Sequence, residues 1–317
     1  MSILNIIKLR SYQESDREAA LRIWHEVGWI EVDFPKPEAV ISFIESGRAV
    51  AVELHGEAEA LATTNGGSIK TESGELPFTG VTSVTVGRLA RKIGAAGRAT
   101  AQAIAEEAAA GSAVAGLSMF ERGFYNRLGF GTGSYEHYFS FDPAILKVAP
   151  GDRLPRRLKA EEAEQIHQVR RERKRGFGAL NFDAPAMSAF SIAESKNGFG
   201  LGFYERGKLS HFFWASVRGG AGPYQVNLLC YKNQRQLHEL LGAIKKLGDQ
   251  VRLVKMFEPP GVQLQDFLRK SFTHQSISKG GQYENRIIAE AFWQLRICNS
   301  HFEVLTSTLQ NENASNR

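Results

Sequence analysis

Residues 81–110 constrain the fold more than any other part of this chain. Val81-Thr82-Ser83-Val84-Thr85-Val86 is β-branched nearly throughout and reads as a strand. Arg98 to Ala110 is an alanine-rich run carrying Glu106 and Glu107, and Gly111 stands where a helix would be capped. Between them lies Arg91-Lys92-Ile93-Gly94-Ala95-Ala96. A helix N-terminus leaves backbone N–H groups free, and its dipole favours an anion there. Gly94, Ala95 and Ala96 keep side chains out of the approach, while Arg91, Lys92 and Arg98 add positive charge. The turn reads as a cradle for a pyrophosphate.

Two common pyrophosphate patterns do not fit. A dinucleotide fingerprint would begin directly after the strand, and a P-loop would need G-K-[ST]; Gly94, Gly97 and Gly111 match neither. The pattern present is R-x-x-G-x-A. Alone, it fits an ordinary strand–helix joint with basic surface residues equally well, so its surroundings decide. Leu9 to Asp16 reads as an opening strand running into a first helix, and Val114-Ala115-Gly116-Leu117-Ser118 as the strand after the long helix. Next comes Glu121-Arg122-Gly123-Phe124-Tyr125-Asn126-Arg127-Leu128-Gly129-Phe130-Gly131.

In that order and spacing, over roughly residues 3–142, these segments resemble the GNAT superfamily of N-acetyltransferases, with Arg91–Ala96 matching its coenzyme A loop. The 121–131 segment resembles acetyltransferases of the enhanced intracellular survival (Eis) type. One departure is Gly87-Arg88, where the family usually has proline after the fourth strand; a differently shaped turn is expected there. The resemblance implies an α/β (α+β) chain of two tandem GNAT-like folds, each a mixed, mostly antiparallel sheet flanked by helices. It implies acetyl-CoA as co-substrate and no metal. The coenzyme-binding positions it assigns are Val84, Thr85, Val86, Arg91, Lys92, Ile93, Gly94, Ala95, Ala96, Gly97, Phe120 and Glu121.

Tyr125 matches the family's general acid. A phenol with an ordinary pKa near 10 stays protonated at neutral pH yet lies close to a thiol. The competing reading of Tyr125 is a core aromatic whose hydroxyl caps a backbone carbonyl. The base is left open among His25, Glu26, Glu31 and Asp33, each of which also reads as a surface residue, and a chain of water; His137 reads as a strand residue.

At 317 residues the chain exceeds a usual single domain. The expected division is a catalytic domain over 1–150, a non-catalytic GNAT-like copy over 151–300, and a disordered tail over 301–317. In the second half, strands are expected at Gly200–Tyr204, Leu209–Val217, Tyr224–Tyr231 and Val251–Phe257, with a helix at Gln234–Leu247. The equivalent loop there, Tyr231-Lys232-Asn233-Gln234-Arg235-Gln236, lacks glycine and alanine at the close-approach positions, so its side chains would block a pyrophosphate. One coenzyme site per chain follows. The Eis-type third domain, sterol-carrier-protein-like, has no room after Trp293-Gln294-Leu295-Arg296. In relatives that domain's terminal carboxylate serves as the base, a role not carried over to Arg317.

Residues 1–150 hold 14 Lys+Arg and 18 Asp+Glu, a balance of −4, against +9 for the remainder. An acidic first half with a basic loop suits a phosphorylated coenzyme together with a cationic amine. The basic stretch Arg153 to Arg175 is interleaved with Glu161, Glu162, Glu164 and Glu172 and lacks stacking aromatics, so it reads as a solvated helix, not a nucleic-acid surface. No apolar run approaches a membrane span, and the N-terminus lacks the n-region and cleavage site of a signal peptide; Ile3, Ile6 and Ile7 read as strand. Cys230 and Cys298 are expected to be buried, reduced thiols of a cytoplasmic protein. The resemblance also implies a homo-oligomer.

Two functions compete. One is an acetyl-CoA-dependent N-acetyltransferase moving the acetyl group by direct attack to a primary amine: an aminoglycoside, a polyamine or a lysine side chain. The other is a non-enzymatic acyl-CoA-binding or assembly module that uses the same folds as scaffold. The loop together with Tyr125 favours the first.

Overall fold

The computed structural model describes residues 7–31, 33–118, 122–149, 151–195, 197–269, 285–291 and 293–298. The chain opens with β1 Lys8–Ser11, α1 Arg17–Glu26, α2 Pro37–Glu45, β2 Arg48–Leu54, β3 Glu57–Thr71 and β4 Gly74–Val86. There follow α3 Ala95–Ala109, β5 Val114–Ser118, α4 Arg122–Asn126, β6 Gly131–Thr132, β7 Glu136–Phe141 and β8 Arg156–Leu158. Then come α5 Ala163–Glu172, β9 Leu180–Phe182, α6 Pro185–Ala193, β10 Phe199–Glu205, β11 Lys208–Val217 and β12 Tyr224–Cys230. The last elements are α7 Gln234–Lys245, β13 Val254–Phe257, β14 Arg286–Glu290 and β15 Trp293–Ile297.

These elements build two compact units, each around one mixed sheet. The first sheet runs β1-β2-β3-β4-β5-β15-β6, with β9 added against β3. The second runs β8-β10-β11-β12-β13-β7-β14. The two orders correspond strand for strand, and each sheet contains one parallel pair, β4–β5 and β12–β13, among antiparallel neighbours. The mixed, mostly antiparallel architecture expected from sequence is therefore present twice. Membership does not follow a division at residue 150. The strand β7 pairs with β13 and β14 in the second sheet, while β15 pairs with β5 and β6 in the first. The first sheet thus takes β9 and β15 from the second half of the sequence, and the second sheet takes β7 from the first half.

In the first unit, helices cover both faces of the sheet. The helix α3 buries Ala95, Ala99, Ala103 and Ile104, an i, i+4, i+8 stripe with one flanking residue. Alanine on that stripe lets the helix lie close on Val50, Val52, Ala60 and Ala62 of β2 and β3. The opposite helices α1 and α2 bury Ala20, Ile23 and Trp24, and Val40, Phe43 and Ile44. The helix α3 begins at Ala95, ahead of the expected Arg98, because Gly94 turns the chain at φ +82°. Past Ala110, Gly111 at φ +100° ends it as expected.

In the second unit α7 buries Leu237, Leu240, Leu241 and Ile244 against Phe139, Phe141 and Phe213. The hairpin turn between β10 and β11 places Arg206 and Gly207 at φ 50° and 78°, as a two-residue turn requires.

Several expectations need correction. The first strand starts at Lys8, with Ile7 buried just ahead of it, while Ile3 and Ile6 lie outside the described residues, as does the tail 301–317. The basic stretch is not a solvated helix throughout. Its helix, α5, spans only 163–172, and Arg173 beyond it is withdrawn from water far enough that burial lowers its guanidinium to about 10. Cys230 is buried, which pushes its thiol up to about 11, but Cys298 is only half-buried; neither forms a disulfide. No helix among the described residues is long and apolar enough to cross a membrane.

The glycines Gly66 and Gly67 give a direct check of the β3–β9 pairing. A Cβ on Gly67 would sit 1.9 Å from the Asn181 carbonyl oxygen, whereas one on Gly66 would meet nothing within 4 Å. Gly67→Ala should therefore destabilise the chain by about 1–3 kcal/mol, as overpacking does. Gly66→Ala should leave the urea midpoint nearly unchanged.

Candidate active site

The strand β4 loses one neighbour partway along its length. Phe78, Thr79 and Gly80 pair with Val114, Ala115 and Gly116 of β5, and the register ends there. From Val81 to Val86 β4 keeps β3 as its sheet neighbour, while β5 is paired on its other edge with β15 all along Val114–Ser118. One edge of β4, holding Val84, Thr85 and Val86, has no strand partner among the described residues beside this gap, with backbone groups available to an extended ligand.

A β-bulge marks the start of the open stretch. Thr63 pairs with Ser83 and Thr64 with Val81, so Thr82 is the extra residue. Its hydroxyl lies 2.9 Å from Thr63 Oγ1, which also lies 2.8 Å from Ser83 Oγ. Asn65 Nδ2 reaches Thr82 Oγ1 at 3.4 Å and Ser46 Oγ donates to Asn65 Oδ1 at 3.0 Å. This buried polar network sits on the face covered by α1 and α2. Sequence reading missed it, although the polar run Thr63-Thr64-Asn65 inside an otherwise apolar strand was a signal.

The cradle follows β4 directly. Gly94 caps α3 without a side-chain hydrogen bond, and the first helical bond runs from Arg98 N to Gly94 O at 3.1 Å. The amides of Ala95, Ala96 and Gly97 are therefore without partners among the described residues. A Cβ on Gly94 or on Gly97 would meet nothing within 4 Å, so the space over the helix end is open. Arg91 and Lys92 are exposed, and neither they nor Arg98 form ion pairs among the described residues. Arg98 Nη1 is buried without a hydrogen-bond partner. An orphaned guanidinium donor, free amides and open space at one helix end fit a pyrophosphate.

Tyr125, on α4, is 9% exposed and packs with Ala115 and Leu117 of β5, Ile104 of α3, and Val81 and Val84 of β4. Its ring meets Phe124 and Phe130 edge-on at 4.9 and 6.0 Å. The fold thus brings Tyr125 to the two strands that diverge. Phe120 and Glu121 lie outside the described residues.

The candidate bases do not form one cluster. His25 Nδ1 is 3.3 Å from the Ile30 carbonyl, and Glu31 and Asp33 are exposed in the loop after α1. Glu26 is engaged: its carboxylate accepts from the Arg88 amide at 2.8 Å, which holds its pKa below the usual carboxylate value. This contact fixes the Gly87-Arg88 turn that stands where the resembled family has proline. Glu59, unflagged in the sequence, is buried beside the same turn. One carboxylate oxygen accepts from Arg22 Nη2 at 2.9 Å and the other has no partner. A Cβ on Gly87 would come within 2.5 Å of that second oxygen, so the turn needs glycine for close approach.

The equivalent end in the second unit is closed. Asn233 Oδ1 accepts from the Gln236 amide at 3.1 Å, and Gln236 Oε1 accepts from the Lys232 amide at 2.8 Å. Side chains of the loop occupy what would be free donors.

No protein-family model and no curated protein matches the sequence. Solved structures do match in fold. One, described as a probable N-acyltransferase from Enterococcus faecalis, superposes with a TM-score of 0.73 at 14% identity, covering 92% of this chain and 72% of that one. A GCN5-related N-acetyltransferase from Kribbella flavida gives 0.67 at 17% identity, covering 92% and 71%. Eis1 from Mycobacterium abscessus gives 0.67 at 15% identity, covering 92% and 74%. At these identities the likeness is one of fold, and the fold is that of GCN5-related N-acetyltransferases.

The Arg22–Glu59 pair beside the Gly87 turn yields a stability test. Arg22→Met strands a carboxylate whose side chain is 4% exposed and should cost about 3 kcal/mol in urea unfolding. The double variant Arg22→Met/Glu59→Met should regain most of that loss, since no buried charge remains.

Proposed function

We propose that this chain is an acetyl-CoA-dependent N-acetyltransferase of the GNAT superfamily, resembling the Eis type, with its site in the first unit. The observation that carries this reading is the uncapped N-terminus of α3, with its free amides and orphaned Arg98 nitrogen, next to the open edge of β4. The cradle, with Arg91, Lys92, Ile93, Gly94, Ala95, Ala96 and Gly97, would hold the pyrophosphate. The edge at Val84, Thr85 and Val86 would hold the pantetheine arm and align the thioester beside Tyr125.

In the proposed reaction a neutral primary amine attacks the thioester carbonyl carbon. A C–N bond forms, the tetrahedral adduct collapses with cleavage of the C–S bond, and the departing thiolate takes a proton from the Tyr125 hydroxyl. The proton shed by the amine leaves through a chain of water. The acidic balance of residues 1–150 favours a cationic acceptor, whether a polyamine, an aminoglycoside or a lysine side chain. The second unit is proposed as a non-catalytic copy, because Asn233 and Gln236 fill its helix end. Homo-oligomeric assembly rests on the resemblance, and a cytoplasmic location on the two free cysteines.

Close packing of Tyr125 on Phe124 and Phe130 favours the competing reading, a structural tyrosine in an acyl-CoA-binding module. Tyr125→Phe separates the two. As general acid, its loss should lower turnover by roughly two to four orders of magnitude with acetyl-CoA affinity retained. Unchanged turnover, or a joint loss of binding and folding, would refute the acid role. The assay is free-thiol release from acetyl-CoA over a panel of polyamines, aminoglycosides and lysine peptides.

The cradle is tested at Ala96. Gly94 is a poor target because any other residue is strained at φ +82°. Ala96 lies in the first helical turn, where glutamate is favoured by the dipole. Ala96→Glu should abolish acetyl-CoA binding by calorimetry without lowering the melting temperature, and the unaltered chain should bind one coenzyme.

A further inference from the structure

The register of the second sheet sets five side chains in one row. Ser216 of β11 pairs with Gln225 of β12, Gln225 with Lys255 of β13, Lys255 with Ser140 of β7, and Ser140 with Arg286 of β14. Registered partners share a face, and neighbouring strands lie about 4.8 Å apart. Phe139, Phe141, Val254 and Met256, which alternate with Ser140 and Lys255, belong to the core packed with α7, so the row faces the other way. Arg218, just past the end of β11, turns to the same side as Ser216 and Gln225. Its charge is felt at both the Lys255 ammonium and the Tyr138 hydroxyl.

Three cations thus gather with no carboxylate among them. Lys255 is half-buried, Arg218 and Arg286 are exposed, and none of the three forms an ion pair among the described residues. Burial and the two arginines push the Lys255 ammonium below its ordinary value. Ser140, between Lys255 and Arg286, is 1% exposed, and its hydroxyl has no hydrogen-bond partner among the described residues. A buried hydroxyl is ordinarily paired, so this one marks a place where a partner is missing. The acidic groups near this face are placed elsewhere. Asp142 accepts from the Ala144 amide at 2.9 Å, and Glu194 and Arg170 act on each other. Glu136 and Glu290 oppose one another four residues along β7 from Ser140, about 13 Å away. Between that pair and the cations stands an apolar rung of Phe257, Tyr138 and Ile288, whose two rings meet edge-on at 5.0 Å.

We propose that this row binds the phosphate of a monoester whose compact apolar body lies over Tyr138 and Ile288. A phosphate dianion offers acceptors to Lys255, Arg286 and Arg218 at once, and to the Ser140 hydroxyl between them. It also offsets the repulsion that three like charges impose on one another. A carboxylate brings half the charge and fewer oxygens, and a bare inorganic anion leaves the apolar rung uncovered. A nucleic-acid strand laid along β7 would bring its next phosphates to Glu136 and Glu290, where they are repelled. The fit is therefore to one phosphate on a short body. The inference concerns the second unit and does not depend on the first unit's activity.

The test is calorimetry on the full chain with phenyl phosphate, inorganic phosphate and phenol, each alone. Phenyl phosphate should bind saturably, inorganic phosphate more weakly, and phenol not at all. Lys255→Gln and Arg286→Gln should each weaken phenyl phosphate about tenfold or more, as loss of one charged hydrogen bond does, and Ser140→Ala should weaken it less. Phosphate held at the α3 end would survive all three substitutions, so the comparison isolates the second unit. Folding is followed by thermal melting. Loss of one of three like charges should not lower the melting temperature, and phenyl phosphate should raise it more in the unaltered chain than in Lys255→Gln/Arg286→Gln. Absence of saturable phenyl phosphate binding would overturn the proposal. So would an affinity unchanged in both charge variants, or one no better than that of inorganic phosphate. A single-stranded oligonucleotide that binds more tightly than phenyl phosphate, and is lost in the same variants, would overturn it in favour of a polymer.

Discussion

The first unit depends on the point where β4 and β5 part. Their parallel register ends at Gly80 and Gly116, and both glycines are there for rings. A Cβ on Gly80 would lie 2.5 Å from Phe182, and one on Gly116 would lie 2.7 Å from Phe78 and 2.9 Å from Leu295. Phe78 and Phe182 stand edge to face at 6.1 Å. Aromatic side chains seated over the last paired rung fix where pairing stops. Beyond it, β5 keeps β15 on its other edge, and β4 is left with one edge unpaired among the described residues. Without the strand taken from the far end of the chain, β5 would have no neighbour on that side.

The second unit repeats the device and alters its outcome. The strands β12 and β13 share only two registered pairs, Tyr224 with Val254 and Gln225 with Lys255, so this pair also diverges. Both long central strands carry a bulge at the equivalent place, Thr82 and Asn227. What differs is the helix that follows. The same sheet order thus presents an open helix end in one unit and a closed one in the other.

Local features were legible in the sequence, and non-local ones were not. The succession β4, turn, α3, β5 is contiguous, and β-branching, alanine and glycine mark each piece, so its order and the cradle residues could be read. The hairpin at Arg206-Gly207 was legible for the same reason. Strand exchange was not, because nothing in Glu136–Phe141 or Trp293–Ile297 records which sheet the strand joins. Glu59 gave no signal because a carboxylate beside two others reads as surface, and only Arg22 arriving from α1 makes its burial tolerable. Arg173 was misread for a related reason: charge spacing along a helix cannot show that the helix ends at Glu172 and turns the next arginine inward.

The two helix ends can be compared energetically. A capping side chain such as Asn233 contributes about 1 kcal/mol to a helix by satisfying amides that water would otherwise have to serve. The helix α7 takes that stabilisation, and Gln236 adds a second, reciprocal bond. The helix α3 forgoes it, using at the N-cap a glycine held at φ +82° and placing alanine and glycine over the next turn. Nothing in the packing of α3 requires this, since a Cβ at Gly94 or Gly97 would meet only open space. An aspartate or asparagine cap would fold its side chain over the same amides and occupy them. The uncapped end therefore trades local stability for unpaired donors beside three cations, an arrangement that gains most when an anion supplies the missing acceptors.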